Sequence, residues 1–174
     1  MDKKEFIKVN LISTRTPEKI QKHIYSTKAF AVAIKDFIEE NFAALAEVKD
    51  DVDSNMSILI SADFAAEFFK RLLTDIYGRI FLKIHIYTDE KKLRLIITSD
   101  SPFPLEYDET NDLIRTVRNA GFEVYPHDNG FSLAAPLSKE AALSVYAIPI
   151  RDGVIILKRK FNEMFYFGCW DNDK

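Results

Sequence analysis

The chain is poor in the residues that build covalent or metal-held frameworks: in 174 residues there are one cysteine, three histidines and five glycines. A single thiol, Cys169, cannot close an internal disulfide, and so cysteine-poor a chain fits a reducing compartment, so a cytoplasmic location is expected. No apolar run is long enough to span a bilayer, and Met1-Asp2-Lys3-Lys4-Glu5 leads into a short strand-like segment rather than a signal-peptide core. Basic excess is missing as well, with 24 Lys and Arg against 27 Asp and Glu and a formal net charge of -3. That balance leaves no electrostatic footprint for nucleic acid or an anionic membrane, and neither is expected as a partner. Between Gly78 and Gly121 there is no glycine at all, which excludes from that stretch the glycine-rich loops that cradle phosphates. Internal repeats and low-complexity linkers are absent too.

What is present is the material of a packed core. Hydrophobic residues make up 47% and aromatics 13%, with 14 Phe and 7 Tyr, and this composition excludes disorder over most of the length. The length suits one domain of ordinary size plus an extension.

Phe6 to Ile12 alternate and predict a strand. Thr16-Pro17-Glu18 then opens a helix, with a Thr cap, Pro in the first turn and an acid near the positive end of the dipole. Neither Gly nor Pro interrupts before Val48. Ile20, Ile24, Thr27, Ala31, Ile34, Ile38, Asn41 and Leu45 recur at steps of four and three along one seam. Phe30, Phe37 and Phe42 lie off that seam. The helix Pro17 to Val48 is therefore expected to be apolar on more than one side, a candidate surface for homodimerisation or for a protein partner. The acidic, polar stretch Lys49 to Asn55 reads as a linker.

Ser57 to Ile60 predicts a strand, and Ser61 or Asp63 opens a helix that buries Phe64, Phe68, Leu72, Ile76 and Ile80. Leu82, Ile84 and Ile86 alternate with Lys83, His85 and Tyr87. After the turn Asp89-Glu90-Lys91-Lys92 the alternation resumes in Leu93, Leu95 and Ile97, which predicts an antiparallel hairpin from Leu82 to Ser99 with one buried face. Beyond Asp100-Ser101-Pro102-Phe103-Pro104, Asp108 to Ala120 predicts a helix with Leu113, Ile114 and Val117 inward and Gly121 as its left-handed stop. Phe122 to Tyr125 and Phe131 to Ala135 flank Asn129-Gly130, a pair suited to positive φ in a tight hairpin. Ser138 reads as the cap of a short helix over Lys139 to Ala142. Val145 to Ile150 and Val154 to Lys160 read as a further hairpin turned by Asp152-Gly153, and Asp171 to Lys174 as a loose tail.

From Met56 to Leu137 this order of strand, capped helix, long hairpin, Asp-led segment, short helix, glycine and second hairpin resembles the GHKL ATP-binding domain. Sensor histidine kinases, DNA gyrase and the large heat-shock chaperones share that domain. The resemblance implies an α+β fold, a two-layer α/β sandwich whose mixed, mainly antiparallel sheet is covered by helices on one face, with the long N-terminal helix added. It also implies a division into residues 1–50 (strand and long helix), 51–137 (ATPase-type core) and 138–174 (C-terminal hairpin packed on the core).

The chemistry departs from the family at each motif. Asp75 stands where the family's magnesium-holding Asn belongs, and Arg71 lies one turn before it on the same face, placed to form a salt bridge with that carboxylate. The family's D-x-G-x-G motif aligns with Asp100 to Pro104, so both glycines are proline. Proline fixes φ at about -65° and has no N–H, the reverse of what a phosphate-side loop requires. Leu105 to Asp112 is too short for a mobile lid. The expectation is a non-catalytic signalling or regulatory module, a degenerate pseudo-ATPase without metal or cofactor that acts through a protein partner or itself. The alternative is an Mg-ATP-binding kinase-like or phosphotransfer protein of a bacterial two-component system. In that alternative Asp75 and Asp100 hold the nucleotide, and His23, on the helix ahead of the kinase-like segment, is the phosphoacceptor, although Ile24 follows it where an acidic base is usual. His85, outward on a strand, and His127, in a turn, lack the spacing of a metal site. Cys169 has no neighbouring His or basic group to activate it. Phe161, Phe165, Tyr166, Phe167 and Trp170 read as core or sheet cover.

Overall fold

The computed structural model describes residues 21–52, 56–75, 81–100, 112–138 and 148–172. The expected strand Phe6 to Ile12, the helix start at Thr16, the proline segment 101–104 and the short helix after Ser138 lie outside these residues. In chain order the elements are β1 (His23–Ser26), α1 (Thr27–Asn41), β2 (Ala46–Asp51), β3 (Ser57–Ile60) and α2 (Ala62–Asp75). They continue with β4 (Leu82–Thr88), β5 (Lys92–Ser99), α3 (Asp112–Ala120), β6 (Glu123–His127), β7 (Gly130–Pro136) and α4 (Ile150–Asn172).

Alternation of apolar and polar residues sets the sheet. Leu82, Ile84 and Ile86 of β4 and Leu93, Leu95 and Ile97 of β5 are buried, while Lys83 is exposed and His85, Arg94 and Ile96 are half-buried on the other side. The five strands lie in the order β2-β4-β5-β7-β6, and only the β2/β4 pair is parallel. β1 and β3 form a separate antiparallel ribbon. This is the expected two-layer sandwich with a mixed, mainly antiparallel sheet. Aromatic rings join helix to sheet and helix to helix: Phe68 of α2 meets Phe131 of β7 edge-on at 6.1 Å, and Phe161 of α4 stands 5.3 Å from Phe37 of α1 and 5.8 Å from Phe69 of α2. Each such side chain, taken fully out of water, contributes about 1.5–3 kcal/mol. One core takes residues from all three expected segments, from Tyr25 to Phe161.

Several local expectations are corrected. The helix foreseen from Pro17 to Val48 is, over its described part, a strand, a 15-residue helix and a second strand. Ser26 ends the strand and caps α1, its Oγ accepting from the Ala29 N–H at 3.4 Å, and the Thr27 N–H donates to the Met56 carbonyl at 2.9 Å. Sheet pairing wins at both ends: His23 pairs with Ile60, and Ala46 pairs with Leu82. The residues from Lys49 to Asp51, read as linker, are therefore half of β2, and the alternation of buried Ala46 and Val48 with exposed Glu47 and Lys49 is its signature.

The C-terminal segment is a helix where a hairpin was expected. The Pro149 carbonyl accepts from the Gly153 N–H at 2.8 Å, which starts α4, and Gly153, Leu157 and Phe161 are buried at steps of four. Gly153 turns nothing: a Cβ there would sit 3.0 Å from the Ala29 Cβ, so the glycine lets α4 pack close to α1. Lys158 reaches Glu40 of α1 at 2.9 Å and Lys160 reaches Asp63 of α2 at 2.9 Å. The helix continues to Asn172, into the segment from Asp171 that was read as a tail.

The β6/β7 hairpin forms as foreseen but turns on Asp128 and Asn129, with His127 paired to Gly130. Among the described residues no non-glycine has positive φ, so Asn129 does not adopt the left-handed conformation expected of it. Gly130 serves close approach instead, since a Cβ there would lie 1.9 Å from the Ile97 carbonyl oxygen. Gly121, at φ 113°, is the left-handed stop after α3 that the sequence calls for. No helix among the described residues is long and apolar enough to cross a membrane.

Candidate functional site

α2 and α3 pack side by side. Ser61 caps α2, its Oγ accepting from the Phe64 N–H at 3.4 Å, and the Ser61 N–H donates to the Ala120 carbonyl at 2.9 Å, which ties the start of α2 to the end of α3. The helix turns Phe64, Phe68 and Leu72 into the core. On a neighbouring stripe Arg71 donates to Glu67 Oε1 through Nη2 at 2.8 Å and Nε at 3.2 Å. Glu67 is nearly closed off, its side chain 7% exposed against 36% for Arg71. A carboxylate at that depth requires a charge partner, and Arg71 is that partner.

Arg71 also faces α3, with Nη1 3.9 Å from Asp112 Oδ2. Asp112, in the first turn of α3, is additionally paired with Arg115, and its carbonyl accepts from Thr116 Oγ1 at 2.7 Å. One guanidinium thus spans the two helices. The sequence set Arg71 against Asp75, whose side chain lies outside the described residues. Among the described side chains the partners of Arg71 are Glu67 and Asp112, and the Glu-to-Arg spacing of four was the overlooked signal. Asp75 is the last residue of α2. Asp100 follows β5 and is exposed, one residue beyond Ser99, whose N–H donates to the Asn129 carbonyl at 3.0 Å.

His23, expected on a helix, is instead the exposed first residue of β1. The helix seam that seemed to carry it is replaced there by pairing with β3. His127 ends β6 rather than standing in the turn, and its Nε2 lies 2.5 Å from Ser132 Oγ. His85 does point outward from its strand.

His85 belongs to a second cluster, on the sheet face away from the core. Strand register sets Lys49, His85, Ile96, Ser132 and Tyr125 in one row and Asp51, Tyr87, Arg94, Ala134 and Glu123 in the next. Asp51 Oδ2 lies 2.7 Å from His85 Nε2, and this hydrogen bond is the main cause holding the Asp51 carboxyl below its ordinary range. The His85 ring stands 5.0 Å from that of Tyr87. Glu123 accepts from the Tyr125 hydroxyl and from Lys92 Nζ, and both bonds, the tyrosine's first, lower its pKa. Asp89, bound by Arg94 and by the N–H groups of Lys91 and Lys92, is lowered from 3.8 to about 2.

No family model and no curated protein matches this sequence. Solved structures do match. The histidine kinase AdeS of Acinetobacter baumannii aligns with a TM-score of 0.50 at 11% identity, over 78% of this chain and 77% of that one. The histidine kinase ThkA, solved in complex with the response regulator protein TrrA, aligns with a TM-score of 0.52 at 13% identity. That match covers 78% of this chain and 48% of ThkA, so the chain spans about half of ThkA's length. The likeness shows the fold: this chain has the GHKL-type architecture found in histidine kinases.

Proposed function

We propose that the chain is a non-catalytic signalling module, a histidine-kinase-like ATPase fold that works by contact with a protein partner or with itself. The observation that carries this reading is Arg71, held by buried Glu67 and directed at Asp112 between α2 and α3. The ion pairs of Arg71 with Glu67 and Asp112 engage the described carboxylates of this face, one turn before Asp75, where the family's chemistry would need free ligands for a metal ion. Pro102 and Pro104, standing where the family has glycines, support the same reading. That ThkA was solved with a response regulator supports treating this fold as a platform for protein contact.

The test is incubation of the purified chain with γ-labelled Mg-ATP. The expected result is no phosphate released above the buffer blank and no label on the protein. Steady release, or label on the chain that His23→Gln removes, would replace this reading with a kinase-like or phosphotransfer one.

A further inference from the structure

The five-stranded sheet has two outer edges, and they are finished differently. β6 carries Pro126, paired with Phe131 beside the closing pair His127 and Gly130, and proline has no N–H to offer an incoming strand. β2 has no proline. Its parallel ladder starts with the Leu82 N–H donating to the Leu45 carbonyl at 2.9 Å and advances two residues at a time, so it uses the backbone of Glu47, Lys49 and Asp51. The N–H and C=O of Val48 and Asp50 and the C=O of Ala46 are turned away from β4, while the Ala46 N–H donates to the Phe42 carbonyl at 3.1 Å. Among the described residues no strand lies beyond β2, and a cavity of about 640 Å³ runs along this edge, lined by Lys35, Glu47, Val48 and Asp50 among others.

The charges of this edge are mixed, and in one register they complement a copy of themselves. Glu47, Lys49 and Asp51 stand on the open face, and Ala46, Val48 and Asp50 alternate to the helix side. A twofold axis perpendicular to the sheet sets two such strands antiparallel, and the residue on the axis then fixes every pair. With Val48 on the axis, the two Val48 residues form a hydrogen-bonded pair. Glu47 then stands opposite Lys49 of the second copy on both sides of the axis, in the pairs where side chains lie closest. Because Glu47 is already in register beside Lys83, the row across the junction runs Lys83, Glu47, Lys49, alternating in sign. The neighbouring registers oppose like charges: Lys49 to Lys49 and Glu47 to Asp51 with the axis at Lys49, Glu47 to Glu47 with it at Glu47, and Asp50 to Asp50 with it at Asp50. Lys49 is open to a second carboxylate. Its contact with Asp51 is 3.6 Å long between side chains 74% and 47% exposed, and Asp51 is held more closely by His85 at 2.7 Å. The Asp50 Oδ1, accepting from the Val52 N–H at 2.9 Å, ends the strand and limits the overlap to Ala46 through Asp50.

We propose that the chain forms a homodimer through the outer edges of β2, antiparallel across a twofold axis at Val48, so that the two sheets join into one with the helices of both copies on the same face. The Val48 N–H of each copy donates to the Val48 carbonyl of the other, and the Asp50 N–H of each donates to the Ala46 carbonyl of the other. This assignment rests on the reading that the module acts by protein contact, and identifies that contact as one with a second copy.

The test is sedimentation equilibrium of the full chain over a range of concentrations, with amide hydrogen exchange at the two ends of that range. Dimers are expected, with the Val48 and Asp50 amides protected only where dimer predominates and the Lys49 amide, turned toward β4, protected throughout. E47K and K49E each set like charges opposite one another on both sides of the axis, and each should weaken dimerisation by about tenfold. An equimolar mixture of these two variants should restore it, because every pair across the mixed junction is again of opposite sign. Val48→Pro should abolish dimers and leave the monomer folded, since the N–H it removes points away from β4. The proposal is overturned by any of four results: a chain that stays monomeric at every concentration, dimers that survive Val48→Pro, a mixture that associates no better than either variant alone, or protection that rises with concentration at another surface. If the chain is monomeric while Mg-ATP is neither bound nor hydrolysed, the edge assignment falls and the non-catalytic reading stands.

Discussion

On the helix side of the five-stranded sheet, Leu82, Ile84, Ile86, Leu93, Leu95 and Ile97 are shut away from water beneath Phe68, Leu72 and Phe161. On the other side the residues between them, Lys83, His85, Tyr87 and Arg94, stand at or near the surface, where Asp51 pairs with His85, Arg94 with Asp89, and nearby Lys92 with Glu123. One face derives its stability from apolar volume and contains no titrating side chain among the strand residues named. The other depends on which groups are ionised, and its exposed pairs are individually weak. The same strands thus carry a face that specifies the fold and a face left available for recognition.

The largest effects should come from the covered face. Phe68→Ala removes a fully buried ring that touches both α2 and β7 and should cost about 3–5 kcal/mol in chemical denaturation. Gly130→Ala forces a methyl group against the Ile97 carbonyl and should cost about 1–3 kcal/mol, read in the same way. Arg71→Ala strands the Glu67 carboxylate. Because the arginine is itself partly wet, the loss should be about 1–2 kcal/mol, and Glu67→Gln in the same chain should recover part of it. If Arg71→Ala is neutral, the link between α2 and α3 is not a structural one.

The smallest effect belongs to the open face and is seen through pH. Asp89 is held at about 2 against an ordinary 3.8, so folding favours its ionised form. Its stabilisation is complete above the ordinary value and is lost as pH falls through the folded one. Asp89→Asn should therefore lower the midpoint of thermal unfolding slightly at neutral pH, and the difference from wild type should vanish as pH falls below about 2. A difference that persists at that pH would mean that Asp89 acts through packing rather than charge.

Much of the covered face was legible in the sequence. Period-two alternation revealed β4 and β5, the Ser61 cap revealed α2, and Gly121 marked the stop of α3, because each rests on local chemistry. Errors came where local signals were ambiguous and tertiary pairing decided. The helix expected from Pro17 to Val48 ran across His23–Ser26 and into Ala46–Asp51, whose partners β3 and β4 lie far along the chain. Asp152-Gly153 had the form of a turn, yet Gly153 is small because α1 is close. Of the site, Arg71 was legible and Glu67 was not, since a buried glutamate looks in sequence like any polar position of an amphipathic helix.

The most direct test of the central claim is the thermal unfolding of the whole chain with and without a large excess of Mg-ATP. A site filled at a hundredfold above its dissociation constant would add about 2.7 kcal/mol to stability and raise the midpoint. The account, with Arg71 set between α2 and α3 and prolines at positions 102 and 104, predicts coincident curves. An upward shift that Asp75→Ala or Asp100→Ala abolishes would contradict it.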